Sequence, residues 1–311
     1  MASDTDGWHY HEMNERAATK DLDLPGLLSG LAAYLWWGLS ALYWQALGAV
    51  GALDVIAHRA FWAVPFCALL LAWRGHLRRA FGALASTRNV ALLLLTSALV
   101  AVNWWLFVWA VKTGQLTEAS LGYFMQPLCT VLIGLLFFRE RLRPVEWLAL
   151  GFALAGVAVF ALGVGKLPLL AMAIAVSFAL YGALRKQLPV DSIDGLFIET
   201  LLIAPAALGW ILWHDGAGLG QFDRTTDLLL VLAGVFTALP LIAYVNSARR
   251  LPLVTLGLLF YINPSCQLLL AVFWFGESVD ASRLWAFGLV WSGLALYLAH
   301  MLQRWRRSRP L

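Results

Sequence analysis

Residues 121–156 read LGYFMQPLCTVLIGLLFFRERLRPVEWLALGFALAG, and residues 258–293 read LLFYINPSCQLLLAVFWFGESVDASRLWAFGLVWSG. At a fixed offset of 137 residues, Pro127 falls on Pro264, Cys129 on Cys266, Phe138 on Phe275, Glu140 on Glu277, Gly151 on Gly288 and Gly156 on Gly293. Gln126 meets Asn263, and Tyr123 meets Phe260. The register holds without a gap through two apolar runs. Helical propensity alone does not place a proline and a glutamate thirteen residues apart twice. Upstream the match loosens, with Trp37-Gly38 on Tyr181-Gly182 at offset 144 and Arg59 on Glu199 at offset 140. The pattern predicts a duplicated unit of five helices. Five is odd, so the second copy is inverted in the membrane. Inverted repeats are the architecture of secondary transporters, with a site near the midplane at the repeat interface.

Composition agrees with a membrane solvent. Of 311 residues, 61% are hydrophobic and 13% charged, against roughly 25% charged in a soluble domain. The mean hydropathy is +0.75. A globular core of this size cannot hide so much apolar surface, so lipid is its solvent. A helix needs ~20 apolar residues to cross a bilayer. Ten runs qualify: 26–46, 54–73, 90–111, 116–138, 145–162, 167–184, 193–213, 228–247, 252–275 and 281–302. They are Leu/Ala-rich without period-2 alternation, which indicates helices rather than a barrel. The expected fold is an all-α integral membrane protein of ten transmembrane helices in two inverted five-helix repeats.

The basic residues assign an orientation. With the N-terminus inside, seventeen Lys and Arg fall on cytoplasmic segments, among them Arg74, Arg78, Arg79, Arg88, Arg139, Arg141, Arg143, Arg185, Lys186, Arg249 and Arg250. Four fall outside: Lys112, Lys166, Arg224 and Arg283. This is a strong positive-inside bias, and both termini are expected in the cytoplasm of a multi-pass bacterial inner-membrane protein. The expected organisation is a flexible cytoplasmic tail at 1–25, a first repeat at 26–163, a second at 167–303 and a basic tail at 304–311.

Several stretches carry a family resemblance. In the first half they are Tyr34-Leu-Trp-Trp-Gly-Leu39, His58-Arg59-Ala-Phe-Trp62, Asn103-Trp104, Ala119-Ser-Leu-Gly-Tyr-Phe124 with Pro127, and Glu140-Arg-Leu. In the second they are Tyr181-Gly182, Arg185-Lys186, Glu199-Thr200, Leu239-Pro-Leu241, Tyr261-Ile262 with Pro264, and Phe275-Gly-Glu277. By their order and spacing the chain resembles the drug/metabolite transporter superfamily, EamA type, and within it the RarD subfamily of chloramphenicol-sensitive proteins. The resemblance implies a ten-helix fold in which the first, third, fourth, sixth, eighth and ninth spans line a central cavity. It also implies that the second and seventh move as gates. Cargoes across the wider superfamily include amino acids, nucleosides, sugar phosphates and drugs.

An ionisable group at the centre of a span costs at least ~2.5–3.5 kcal/mol, so each one needs a reason. Arg59, preceded by His58, lies five residues into the second span, and Glu199 six residues into the seventh. By helical rise each is roughly 8–9 Å deep from opposite faces, leaving ~12 Å between them along the membrane normal. No direct salt bridge between them is expected. His58, Arg59 and Glu199 are gate or coupling candidates. The alternative is that Arg59 snorkels outward and Glu199 caps a helix end. Glu140 and Glu277 end matching spans, which suits binding N–H groups at the starts of the fifth and tenth spans.

Asn103, Gln126 and Asn263 are candidates for the cavity, with interhelical hydrogen bonding the alternative. Trp37, Trp104, Tyr123, Tyr181, Tyr244 and Tyr261 join them, since aromatic walls suit a flat or amphipathic solute. Pro127 and Pro264 are expected to kink their helices. Trp8, Trp210, Trp213, Trp285 and Trp305 read as interfacial anchors.

Catalytic and nucleotide-binding motifs are missing from the sequence, and no cysteine or histidine spacing suits a metal. The expectation is a transporter, not an enzyme, without cofactor or metal. Its partners would be a small-molecule substrate and membrane lipid, with no nucleic acid, and it would act as a monomer or homodimer. A lipid-modifying enzyme and a channel are the alternatives. The first needs clustered catalytic groups at one interface, the second a polar stripe through several spans. Proton coupling through Glu199 and uncoupled exchange both stay open.

Overall fold

A backbone in lipid has no water to bond, so apolar runs fold as helices that satisfy their own N–H and C=O groups. The computed structural model describes residues 23–113, 115–164, 168–276 and 281–307, and within them the secondary structure is helical, with no strand. The long helices are α1 (Leu24–Ala46), α2 (Ala52–Trp73), α3 (Thr87–Lys112), α4 (Leu116–Phe137), α5 (Pro144–Val164), α6 (Leu169–Gln187), α7 (Ser192–Trp213), α8 (Arg224–Arg250), α9 in two segments (Leu253–Phe260 and Ile262–Phe273) and α10 (Ala281–Arg307). Among the described residues nine helices, α2 to α10, are long and apolar enough to cross a membrane. The 23-residue α1 is diluted by glycines and by Trp and Tyr side chains, so its composition is less apolar. A short helix at Leu77–Gly82 and a 3-10 turn at Ala83–Ala85, neither expected, occupy the connection after α2.

Caps fix several starts. The Asp23 carboxylate accepts from Gly26 N at 2.8 Å, Asp191 from Ile193 N at 3.2 Å, and Asp223 from Thr225 N and Thr226 N at 2.9 and 3.2 Å. The Thr226 hydroxyl and these N–H groups hold the Asp223 carboxyl below the usual carboxylate range.

The α1–α8 and α2–α7 pairs run antiparallel. Along α1 and α8, Asn246 Nδ2 donates to Ser29 Oγ at 2.8 Å, Trp36 Nε1 to Phe236 O at 3.0 Å, and the Tyr43 hydroxyl to Leu229 O. Between α2 and α7, Asp54 meets Trp210 Nε1 at 2.8 Å and His214 Nδ1 at 3.1 Å. At the other end of that pair Arg79 meets Asp194 at 2.9 Å. One end of the bundle therefore gathers Arg79, Lys186, Arg249 and Arg250, and is called the basic end below.

The α5–α10 contact is reciprocal. A Cβ on Gly156 would lie 2.7 Å from the carbonyl oxygen of Ala286, and one on Gly293 would lie 2.7 Å from that of Ala149. Gly156 and Gly293 are 137 residues apart, as are Ala149 and Ala286, so the two contacts are images of each other. The chain also turns with positive φ at Arg139 (51°) and Gly276 (67°), again 137 residues apart.

Several expectations need correcting. Pro264 accompanies a break at Tyr261, whereas α4 runs without interruption through Pro127. Glu140 does not serve α5: Oε1 and Oε2 accept from Leu253 N and Val254 N, at 2.8 and 2.9 Å, and so cap α9. Trp210 is no free interfacial anchor, being bonded to Asp54, whereas Trp213 and Trp285 are exposed. Glu277, Trp8 and the tail up to residue 22 lie outside the described residues, as do residues 308–311 of the expected basic tail.

Candidate functional site

The interior polar chemistry falls into two clusters, one toward each end. Toward the end away from the basic residues, Arg59 points in from the third turn of α2. Its Nε donates to Thr237 Oγ1 on α8 at 3.0 Å. The guanidinium carbon stands 4.4 Å from the centre of the Trp104 ring on α3 and 5.3 Å from that of Trp44 on α1. Arg59 thus lies against indole faces instead of snorkelling outward, an arrangement favoured by the ring quadrupole. The hydroxyls of Tyr43 and Tyr123 are within electrostatic reach of it. Tyr123 is half-buried, its ring 5.8 Å from that of Phe107.

His58, one residue earlier, faces elsewhere. Its Nδ1 accepts from Trp62 Nε1 at 3.1 Å, so Nε2 is the donor to Ala217 O at 2.7 Å. Nε2 thus ties α2 to the connection before α8, while the Nδ1 contact stays within α2.

Toward the basic end, aromatic rings close the interior. Trp37 stands 6.2 Å from Tyr34 and 5.7 Å from both Phe178 and Tyr244, centre to centre. Tyr181 and Tyr244 stack at 6.4 Å, and Tyr34 meets Phe260 edge-on at 5.2 Å. The Tyr34 hydroxyl donates to Leu256 O at 3.0 Å, tying α1 to α9.

Beyond these rings lies a buried ion pair. Glu199 Oε1 is 3.4 Å from Arg185 Nε, and both side chains have no exposure. Oε1 also accepts from the Thr96 hydroxyl at 2.6 Å, and Oε2 from the Tyr181 hydroxyl at 3.2 Å. Arg185 Nη2 donates to Ser192 O at 3.1 Å. A Cβ on Gly195 would collide with Nη1, so only glycine there admits the guanidinium between α6 and α7. The network locks α3, α6 and α7 together. Arg185 Nε and Nη1 are buried without a hydrogen bond among the described residues, so the pair holds chiefly by charge, and removing one partner of such a pair is costly.

The remaining candidates divide. Asn103 Nδ2 donates to Ile174 O at 2.9 Å and Ser177 Oγ at 3.0 Å, which ties α3 to α6. Asn263 accepts from Gln267 Nε2 at 3.0 Å within α9. Gln126 Oε1 and the hydroxyls of Tyr244 and Tyr261 are buried without a hydrogen-bond partner among the described residues. Tyr261 packs at the α9 break, 5.6 Å from Phe124. No group of three or more His, Cys, Asp and Glu suited to a metal occurs among the described residues.

Sequence reasoning missed Arg185, which it counted as a cytoplasmic loop charge, and Thr96, Trp44 and Thr237. Only the Arg185–Glu199 spacing across a helix–turn–helix carried a signal, since antiparallel neighbours bring such residues together.

This is the organisation of a multi-pass membrane protein whose interior carries separate polar clusters toward its two ends. The family model described as "EamA-like transporter family" matches residues 24–162 and again 166–299. The chain belongs to that family. An "Uncharacterized transporter" of Vibrio cholerae is 39% identical over 91% of this chain and 95% of its own length. "Protein RarD" of Salmonella typhimurium is 38% identical over 91% and 97%. "Chloramphenicol-sensitive protein RarD" of Pseudomonas aeruginosa is 33% identical over 92% and 95%. A solved structure named only "Crystal structure of protein" is similar with a TM-score of 0.68 at 22% identity, over 89% of this chain and 98% of its own, a likeness that shows the fold alone. The protein is a multi-pass membrane transporter of bacterial type, and several of its relatives are named as transporters.

Proposed function

We propose that the chain is a secondary transporter that moves a small organic metabolite or drug across the inner membrane by alternating access. In this reading ten helices cross the membrane as two inverted five-helix repeats, 26–163 and 167–303, with both termini and the basic end in the cytoplasm. Support for the repeats comes from the doubled family match and the reciprocal Gly156 and Gly293 contacts. Support for the orientation comes from the positive-inside bias.

The observation that carries the mechanism is the Arg185–Glu199 pair. It latches the cytoplasmic side, together with the Tyr34–Trp37–Tyr181–Tyr244 rings. Arg59 stands on the other side of those rings, half-buried. The conformation is therefore closed inward. Opening inward separates α7 from α3 and α6 and breaks the pair. Protonating Glu199 removes its charge and weakens the latch, which gives a proton gradient its route into the cycle.

The test is efflux from liposomes that hold the pure protein and a pool of amino acids, nucleosides and amphenicols, followed by mass spectrometry with and without a pH gradient. Selective loss of one class identifies the cargo. No loss of any compound from folded protein removes support for transport.

A further inference from the structure

Two arginines sit inside helices among the interior groups, and they differ in one respect. Arg185 has a carboxylate beside it; Arg59 has none among the described residues. The nearest acid along α2, Asp54, is already committed to Trp210 and His214. Thr237 holds Nε of Arg59, and the guanidinium carbon stands over the Trp104 and Trp44 rings. Nη1 and Nη2 make no hydrogen bond to a described residue, and neither is sealed from its surroundings. A cation in a span without a counter-charge is costly to keep, and such a group marks a ligand pathway by default. The planar fork of an arginine held by one edge offers two parallel N–H donors, the geometry of a carboxylate.

We propose that Arg59 anchors the carboxylate of an organic anion, whose flat apolar body lies among Trp44, Trp104 and Tyr123. The proposal rests on the transport reading above and narrows its cargo. The carboxylate supplies the missing counter-charge, taking its two hydrogen bonds from Nη1 and Nη2. The indoles and the Tyr123 ring exclude water around it, which strengthens both bonds. The site then prefers acids over isosteric neutral compounds.

The probes are benzoate and indole-3-acetate, each against its primary amide, with the full chain in detergent and thermal stabilisation as the binding readout. The wild type is expected to bind each acid more tightly than its amide, and Arg59→Gln to lose on the order of 10- to 100-fold in acid affinity with little change for the amides. A second measurement needs no variant. Phenylglyoxal modification of Arg59, read by peptide mass spectrometry, is expected to be slowed by the acids and not by the amides. Amides binding as well as acids, an acid preference kept in Arg59→Gln, no protection of Arg59, or no binding of any probe each overturns the proposal. The same compounds loaded into liposomes separate the two readings. Flux of neutral solutes alone leaves the transporter standing and removes the anion site, whereas no flux of any solute removes both.

Discussion

Arg185 and Glu199 meet at 3.4 Å between α6 and α7, both wholly buried, with Gly195 providing the space in which the guanidinium lies. The contact joins a helix that packs in the interior to a helix expected to move. Removing one partner of a buried pair leaves an uncompensated charge, at a cost of roughly 3–5 kcal/mol. Glu199→Gln is therefore expected to weaken the inward latch. In proteoliposomes it should abolish accumulation driven by a pH gradient while sparing solute counterflow. Unchanged accumulation would exclude Glu199 as the coupling group.

Gly195→Ala tests the same latch from the backbone side. The added methyl takes the place of Arg185 Nη1. Overpacking of this kind costs typically ~1–3 kcal/mol. The melting temperature should fall, and the double variant Arg185→Met with Gly195→Ala should lose less than the sum of the two single losses. Strict additivity would mean that the two residues do not share a space.

Much of the scaffold was legible from the linear pattern, because lipid imposes a length and an apolar composition on every span. Arg185 was not. It precedes Lys186, and the pair read as a basic loop. Adjacent residues on a helix point about 100° apart, so Arg185 turns inward to Glu199 while Lys186 reaches Glu140 at 3.9 Å. The partners of Glu140 were also hidden, since Leu253 and Val254 follow more than a hundred residues later. Prolines at matched positions sit in unlike helices, since α9 is interrupted at Tyr261 and α4 is continuous through Pro127. A proline removes the same N–H at either site, so the packing around it decides the outcome.

Glu140 makes two charge-assisted bonds to the first N–H groups of α9. Hydrogen bonds to charged groups are worth ~1.5–3 kcal/mol. Glu140→Ala is expected to destabilise the protein by about that much, and Glu140→Gln by less, since the amide oxygen can still accept one bond. Thermal unfolding in detergent measures both. Equal losses would assign the effect to charge rather than to capping.

The reciprocal contacts of Gly156 and Gly293 predict matched effects. Each approaches a backbone carbonyl that cannot rotate away, at 2.7 Å from a notional Cβ. Gly156→Leu and Gly293→Leu should each force α5 and α10 apart and lower the melting temperature by similar amounts, roughly 1–3 kcal/mol or more in stability. A loss confined to one of the two would break the equivalence that the repeat requires.

Paired distances at the two ends test alternating access most directly. In a background with Cys67, Cys129 and Cys266 replaced, spin labels at Arg88 and Asp191 report the spacing of α3 and α7 at the basic end, and labels at Ala49 and Leu219 report the opposite end. With transported solute present, the first distance is expected to lengthen as the second shortens, and Glu199→Gln should lengthen the first without solute. Two distances that stay fixed, or that change in the same direction, in protein that transports would contradict the account.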